Sequence, residues 1–294
     1  MTIQVERQHP LFFAEISGID LSIPTDDGDL SRIVTAFAED AVLLFRNQNL
    51  NDESQVAFSK RIGVVERSFI NNLGRSRPEI TNVSNVDKDN NLLGKGSPRD
   101  VLLSGNQIWH TDGSFKIVPS LASALSAREV PPVGGETEFA DMRAAYDALT
   151  CKKQRLIQSL RAEHDFMYSQ GKIGIEYMTE KEKAKVSPVQ HPLVRLHPES
   201  GRKAIYAGRH ASRVLGMPIA EGRALIQELN EFATQPKFVH RHTWQAGDLV
   251  LWDNRMVMHR GRSYDDTKYR RIMLRTTLAG QAENNPWTMT SENS

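Results

Sequence analysis

Short apolar runs separated by tight-turn residues fill the last third of the chain, and no other feature restricts the fold as much. "FVHRHTWQAGDLVLWDNRMVMHRG" and "RRIMLRTTLAG" hold runs too short for a helix, rich in Val, Leu, Ile and Trp and broken by Gly, Asp and Asn. Runs of this kind read as strands. Upstream, "LFFAEISGIDL" reads as a strand and turn, and "AVLLFRNQ" as a buried strand. "EITNVSNV" is strand-like, "SALSAREVPPVGGETEFADM" places strands around Pro-Pro and Gly-Gly, and "HPLVRLHPESGRKAIYAG" folds back at Pro198 to Gly201.

Helical rhythm is confined to a few segments. "DLSRIVTAFAED" puts Leu30, Ile33, Val34 and Phe37 on one face, and "DESQVAFSKRIG" is opened by Asp52 and closed by Gly63. "DMRAAYDAL" has Asp141 as its N-cap, while "CKKQRLIQSLRAEH" and "IAEGRALIQELNEFAT" complete the set. Strands and helices do not alternate regularly, and no glycine-rich phosphate loop follows a strand, which argues against a doubly wound parallel sheet. The expectation is a β-rich α+β domain spanning residues 1–294, an antiparallel core decorated by helices. Two polar stretches, 87–105 and 168–190, read as excursions over the surface and as candidate lids.

The 294 residues, 39% hydrophobic and 25% charged, suffice for a large core that needs no metal or disulfide merely to fold. A net charge of +1 supplies no global field for nucleic acid or an anionic membrane. The basic cluster "KYRRIMLR" is interleaved with apolar residues, as befits arginines placed inside a structure. One cysteine, Cys151, rules out an intrachain disulfide and the zinc sites that need a Cys pair. The N-terminal stretch lacks a basic region followed by a long apolar run, and no segment reaches membrane-spanning length, so the expected location is the cytoplasm. An apolar helix face in the last third predicts a homo-oligomer.

Chemistry is concentrated in "IWHTDGSF", where His110 and Asp112 stand two residues apart. In an extended strand such residues project to one face and could share a metal; alone, the pair reads more readily as a polar loop. A third ligand is therefore decisive. Among nine histidines, His191 and His197 precede proline, His240 and His242 lack a nearby carboxylate and read as rim residues, and His164 and His210 suit a pocket. His259 ends the strand "DLVLWDNRMVMH" and is followed by a short loop and "RRIMLR", whose Arg271, Met273 and Arg275 share a face opposite Arg270. Arginine's planar fork suits a carboxylate, from a ligand or from the protein's own acids. His110, Asp112 and His259 make the two-histidine, one-carboxylate set of non-haem iron(II) oxygenases. Zinc on the same ligands would instead support hydrolysis but would leave the second arginine unexplained.

The order His-x-Asp, "GGETEF", "WDNRMVMHR" and "RRIMLRTTLAG" resembles the taurine dioxygenase and 2,4-dichlorophenoxyacetate dioxygenase family over nearly the whole chain. "FADMRAAYDAL" and "YSQGKIG" most resemble the members acting on (S)-phenoxypropionate and phenoxyacetate herbicides. The resemblance implies a double-stranded β-helix (jelly roll) core with flanking helices, Fe(II), 2-oxoglutarate and O2. It implies hydroxylation of a C–H of a small organic anion, an aryloxyalkanoate above others, with release of succinate and CO2. His110, Asp112 and His259 match the iron ligands, and Thr137 and Arg271 match the groups that hold 2-oxoglutarate, with Trp252 packing beneath. A loop one residue longer than in the taurine enzyme makes Arg270 an alternative to Arg271. Arg275, Asn106, Ser169, Tyr168 and His210 fall at substrate-pocket positions; Gln170 and His210 replace aromatic residues of the taurine enzyme, which argues against taurine. A sulfonate or natural-product substrate is the alternative within the family. A divalent-metal hydrolase or a non-catalytic binding protein is the alternative outside it.

Overall fold

A computed structural model describes residues 3–67, 77–171 and 186–280. In chain order its strands are β1 (Gln4–Arg7), β2 (Ala14–Ser17), β3 (Val42–Phe45), β4 (Thr81–Asn82), β5 (Ala122–Glu129), β6 (Thr137–Asp141), β7 (Arg161–His164) and β8 (Val189–Pro192). β9 (Val194–Leu196), β10 (Lys203–Ile205), β11 (Ala211–Val214), β12 (Val239–His242), β13 (Leu249–Asp253), β14 (Val257–Gly261) and β15 (Ile272–Leu278) follow. The α-helices are α1 (Asp27–Asp40), α2 (Asp52–Ile62), α3 (Pro98–Ser104), α4 (Met142–Asp147), α5 (Cys151–Ile157), α6 (Phe166–Gly171) and α7 (Ile219–Ala233).

The main sheet runs β1-β2-β3-β13-β5-β15-β4, and a smaller sheet runs β12-β6-β14. Only β2 and β3 pair in parallel; every other pair within these two sheets is antiparallel. From β12 to β15 the chain alternates between the two sheets. β11-β7-β8 and β10-β9 form two further small sheets.

The main sheet is apolar on both faces, which explains why its strands read as continuous apolar runs. Val42, Leu44, Val250, Trp252 and Met273 turn inward against Phe139, Val257 and Met258 of the smaller sheet. Their alternates Leu43, Phe45, Leu249 and Leu251 pack outward against Ile33 and Phe37 of α1 and Phe58 of α2. The period of two therefore selects a side for each residue, and a slip of one would turn the inner set outward.

Several local readings need correction. α2 is capped by Asn51, which exchanges hydrogen bonds with Ser54 in a capping box, so Asp52 lies inside the helix. The helical reading of "CKKQRLIQSLRAEH" stops at Ile157, and Arg161–His164 is strand β7, pairing with both β8 and β11. Residues 87–105 are not a bare polar loop. Asp87 accepts backbone bonds from Asp89 and Asn91, and Ser97 caps α3 with Pro98 in its first turn. Of the second candidate lid, residues 172–185 lie outside the described residues. The apolar stripe of α7, Leu225, Ile226, Leu229 and Ala233, is buried in the chain's own core, so it is no ground for a homo-oligomer. Among the described residues no helix is long and apolar enough to cross a membrane.

Asp141 caps α4 as expected and also forms a fully buried pair with Arg143, whose Nε and Nη2 donate to its two oxygens at 3.0 Å each. Arg143 Nη1 donates to the Glu39 carbonyl at 2.9 Å, tying α4 to α1. Asp141→Ala strands a buried guanidinium, and the expected loss is about 3–5 kcal/mol. Chemical denaturation reads it, and a loss below about 1 kcal/mol, the value of a cap alone, would contradict the pairing.

Candidate metal centre and adjoining cavity

β14 is the free edge of the smaller sheet, and a single residue closes on it. His110 N–H donates to the His259 carbonyl at 3.0 Å, and His259 N–H donates back to His110 at 2.8 Å. The two rings stand 4.2 Å apart between centroids. Beyond this bridge the backbone turns instead of continuing as a strand. Asp112 therefore meets His110 through a turn and not through strand alternation. Gly113 makes the turn, with φ of 69°, and a Cβ there would collide with the Ser120 hydroxyl.

The result is a buried cluster of His110, Asp112 and His259 with one ligating atom from each within 4.8 Å of the others. His110 Nε2 lies 3.8 Å from Asp112 Oδ1, and His259 Nε2 3.9 Å from Oδ2. His110 Nδ1–H donates to the Ile108 carbonyl at 2.8 Å; a carbonyl only accepts, so Nε2 carries the lone pair. The His259 ring packs 4.7 Å from Trp252.

Electrostatics set the protonation a metal needs. Burial, then His259 and Arg209, hold His110 well below its usual range, and burial above all lowers His259 to about 4. Burial alone would raise the Asp112 carboxyl, but Arg275, then His259 and His110, outweigh it and hold the group well below the carboxylate range. Arg275 Nη1 donates to both Asp112 oxygens at 2.8 Å, and Ser123 Oγ donates to Oδ2 at 2.8 Å. Neutral imidazoles beside an ionised carboxylate are what a divalent cation requires.

The two arginines of interest have different surroundings. Arg270 pairs with Glu129 at 3.2 Å. Arg271 forms no ion pair among the described residues; its Nε donates to the Gly135 carbonyl at 3.2 Å, and burial lowers it to about 10. Gly135, at φ of 71°, lies so close that a Cβ would stand 3.3 Å from Arg271 Nε. Thr137, two residues on, accepts from Trp244 Nε1 at 2.9 Å, which leaves its own O–H free to donate. Trp252 lies beneath the centre, with its Nε1–H on Asn254.

A cavity of about 150 Å³ opens beside the cluster, bounded by His110, Asp112, Arg275, His210 and Asn106 among the expected residues. Ser169 and Tyr168 do not line it: Ser169 Oγ donates to the Phe166 carbonyl at 2.6 Å, and Tyr168 lies under Arg223. His164 packs against Tyr206 and His191, away from the cavity, and His242 is paired with Asp248 at 3.1 Å. Sequence reading missed several walls: Val83, Leu102, Leu103, Phe115 and Phe166 are apolar, while Lys116 and Arg209 add positive charge. Lys116 is bonded to Glu66. These positions carry no motif, although Phe115 sits within "IWHTDGSF" and Leu102 and Leu103 within the first candidate lid.

Comparison with known proteins agrees with this geometry. The family "Taurine catabolism dioxygenase TauD, TfdA family" matches residues 4–277. The alpha-ketoglutarate-dependent 2,4-dichlorophenoxyacetate dioxygenase of Cupriavidus pinatubonensis is 44% identical over 95% of this chain and 98% of its own. The (S)-phenoxypropionate/alpha-ketoglutarate-dioxygenase of Sphingobium herbicidovorans is 38% identical over 92% of each chain. The crystal structure of AAD-2 in complex with Mn(II) and N-oxalylglycine shares 43% identity, covers 96% of this chain and 98% of its own, and has a TM-score of 0.88. With matches of this extent and a buried two-histidine, one-carboxylate cluster, the chain belongs to the TauD/TfdA family of 2-oxoglutarate-dependent dioxygenases and is an enzyme of the oxidoreductase class.

Proposed function

We propose that this enzyme hydroxylates a C–H of a small organic anion, an aryloxyalkanoate above others, using Fe(II), 2-oxoglutarate and O2 and releasing succinate and CO2. The observation that carries the reading is the His110, Asp112 and His259 cluster opening onto a cavity walled by arginine and apolar side chains. The donor set fits Fe(II), since two imidazoles and one carboxylate leave adjacent positions open. When bound, the iron would activate O2 and couple the oxidative decarboxylation of 2-oxoglutarate to insertion of oxygen into the substrate C–H. The alternation of strands between the two larger sheets supports reading the core as a double-stranded β-helix.

The protein's own part is placement. His110 and Asp112 approach from the turn and His259 from β14, all three buried, so one side of the cluster is left to ligands. Arg271 is suited to the far carboxylate of 2-oxoglutarate, because a guanidinium with no carboxylate partner among the described residues has its fork available. Arg270, held by Glu129, is the weaker candidate. The O–H of Thr137, two residues from Gly135, is the proposed donor to that cosubstrate, since its oxygen already accepts from Trp244. Arg275 borders the cavity and has a buried Nε without a hydrogen-bond partner among the described residues, so it is the proposed contact for the substrate's carboxylate. Val83, Leu102, Leu103, Phe115 and Phe166 offer walls for an aromatic ring, and α3 carries two of them over the cavity as part of the first candidate lid. If the hydroxylated carbon bears an ether oxygen, the product hemiacetal collapses and the ether breaks.

Four measurements test this reading. Anaerobic addition of 2-oxoglutarate to the Fe(II)-loaded protein produces a visible charge-transfer band; a protein that binds Fe(II) without it would overturn the oxygenase reading. Asp112→Ala loses metal affinity and turnover together while circular dichroism shows the fold retained, and full activity in that variant contradicts the ligand assignment. Arg271→Gln raises the KM for 2-oxoglutarate about ten- to a hundredfold, the loss of one charge-assisted contact, whereas Arg270→Gln changes it less than about twofold. Succinate release across a panel of aryloxyalkanoates, alkyl sulfonates and sulfate esters identifies the substrate class, and turnover confined to the sulfur compounds would refute the carboxylate assignment.

A further inference from the structure

Behind Asp112 lies a hydrogen-bonded chain whose direction is fixed by chemistry. Trp252 Nε1–H, which can only donate, reaches Asn254 Oδ1 at 2.9 Å. That contact orients the amide, so Asn254 Nδ2–H donates to Ser123 Oγ at 3.0 Å. Asp112, ionised, can only accept, and the serine's single hydrogen goes to Oδ2 at 2.8 Å. Trp252, Asn254 and Ser123 are each at most 1% exposed, so water cannot substitute for any link.

Sheet register builds the chain. Trp252 of β13 stands directly opposite Ser123 of β5, and Asn254 follows in the turn that ends β13. Ser123 also stands opposite Thr277 of β15, two residues beyond the Arg275 that grips Asp112. The same Trp252 ring packs 4.7 Å from His259. One buried side chain thus touches one member of the cluster and reaches another through three successive hydrogen bonds.

We propose that Trp252, Asn254 and Ser123 are positioning residues that fix the rotation of the Asp112 carboxylate. The relay takes up Oδ2 and leaves Oδ1 as the ligand oxygen. This rests on the reading of His110, Asp112 and His259 as a metal centre. A carboxylate held only by Arg275 could rotate, because Nη1 lies 2.8 Å from both oxygens and does not distinguish them. The relay is what breaks that symmetry. Groups that orient a ligand from behind commonly change metal affinity about ten- to a hundredfold when removed.

The test uses the full-length protein and Mn(II) titration followed by electron paramagnetic resonance, with the thermal midpoint of the metal-free form measured in parallel. Ser123→Ala is expected to weaken Mn(II) binding about tenfold or more with little change in the metal-free midpoint. Trp252→Phe keeps a ring beside His259 but removes the N–H, and a smaller loss in the same direction is expected. In the Ser123→Ala background, Trp252→Phe is expected to add nothing, because its effect runs through the serine. Equal and additive losses would overturn the relay, as would wild-type affinity in Ser123→Ala. Should Ser123→Ala fail to fold, Trp252→Phe decides alone, and unchanged affinity there refutes the proposal. A wild-type protein that binds no Mn(II) removes the metal-centre reading and the relay with it. A wild type that binds, beside variants that bind equally, removes the relay alone.

Discussion

Two main-chain hydrogen bonds between His110 and His259 determine where the rest of the centre sits. They join the free edge of the smaller sheet to the turn that carries Asp112, so two imidazoles from distant parts of the chain become direct neighbours. Backbone pairing fixes this separation more firmly than side-chain packing could, since both partners' torsions are held by the bond geometry. The third member then needs only a tight turn, and Gly113 supplies it at a backbone angle that a side chain would make costly.

A buried carboxylate between two histidines is expensive unless cations and donors surround it. Here Arg275 and Ser123 supply the balance, and burial keeps both imidazoles neutral. The same apolar surroundings that raise the cost of ionising Asp112 also keep protons off the histidines. The site is therefore held in its ligand-ready protonation by its surroundings, and Arg275 acts on both the centre and the cavity that adjoins it.

How much of this was legible in the sequence follows from the range of each interaction. The "RRIMLR" strand displayed its parity, so the shared face of Arg271, Met273 and Arg275 could be read from alternation, and Met273 does lie in the inner core. His110, Asp112 and His259 could be chosen from residue type and spacing, and the structure brings them together. The reason given for His110 and Asp112 was wrong, because a strand was assumed where a bridge and a turn occur. Ser123 was invisible, since its importance arises from standing opposite Trp252, and register between strands more than a hundred residues apart leaves no local mark. Tyr168 and Ser169 were placed at the pocket by resemblance, whereas packing under Arg223 and a helical hydrogen bond direct them elsewhere. The α7 stripe was apolar as read, but periodicity cannot say whether a face meets its own core or a second copy.

The centre and the cavity walls are carried by different parts of the fold. Residues that hold the centre sit on paired strands or on the bridge to them: His259 on β14, Ser123 on β5, Trp252 on β13, Arg275 on β15. Leu102 and Leu103 of the cavity wall sit on α3, Phe166 begins α6, and Lys116 and Phe115 lie in the loop after Asp112. Loops and short helices accept substitution without disturbing the ladder hydrogen bonds that fix the ligands. Substrate choice can therefore change through these walls while the centre keeps its geometry. The exception is Arg275, which belongs to both sets. A substitution there would withdraw the cation that keeps Asp112 ionised, a cost that the wall residues on α3 and α6 do not carry.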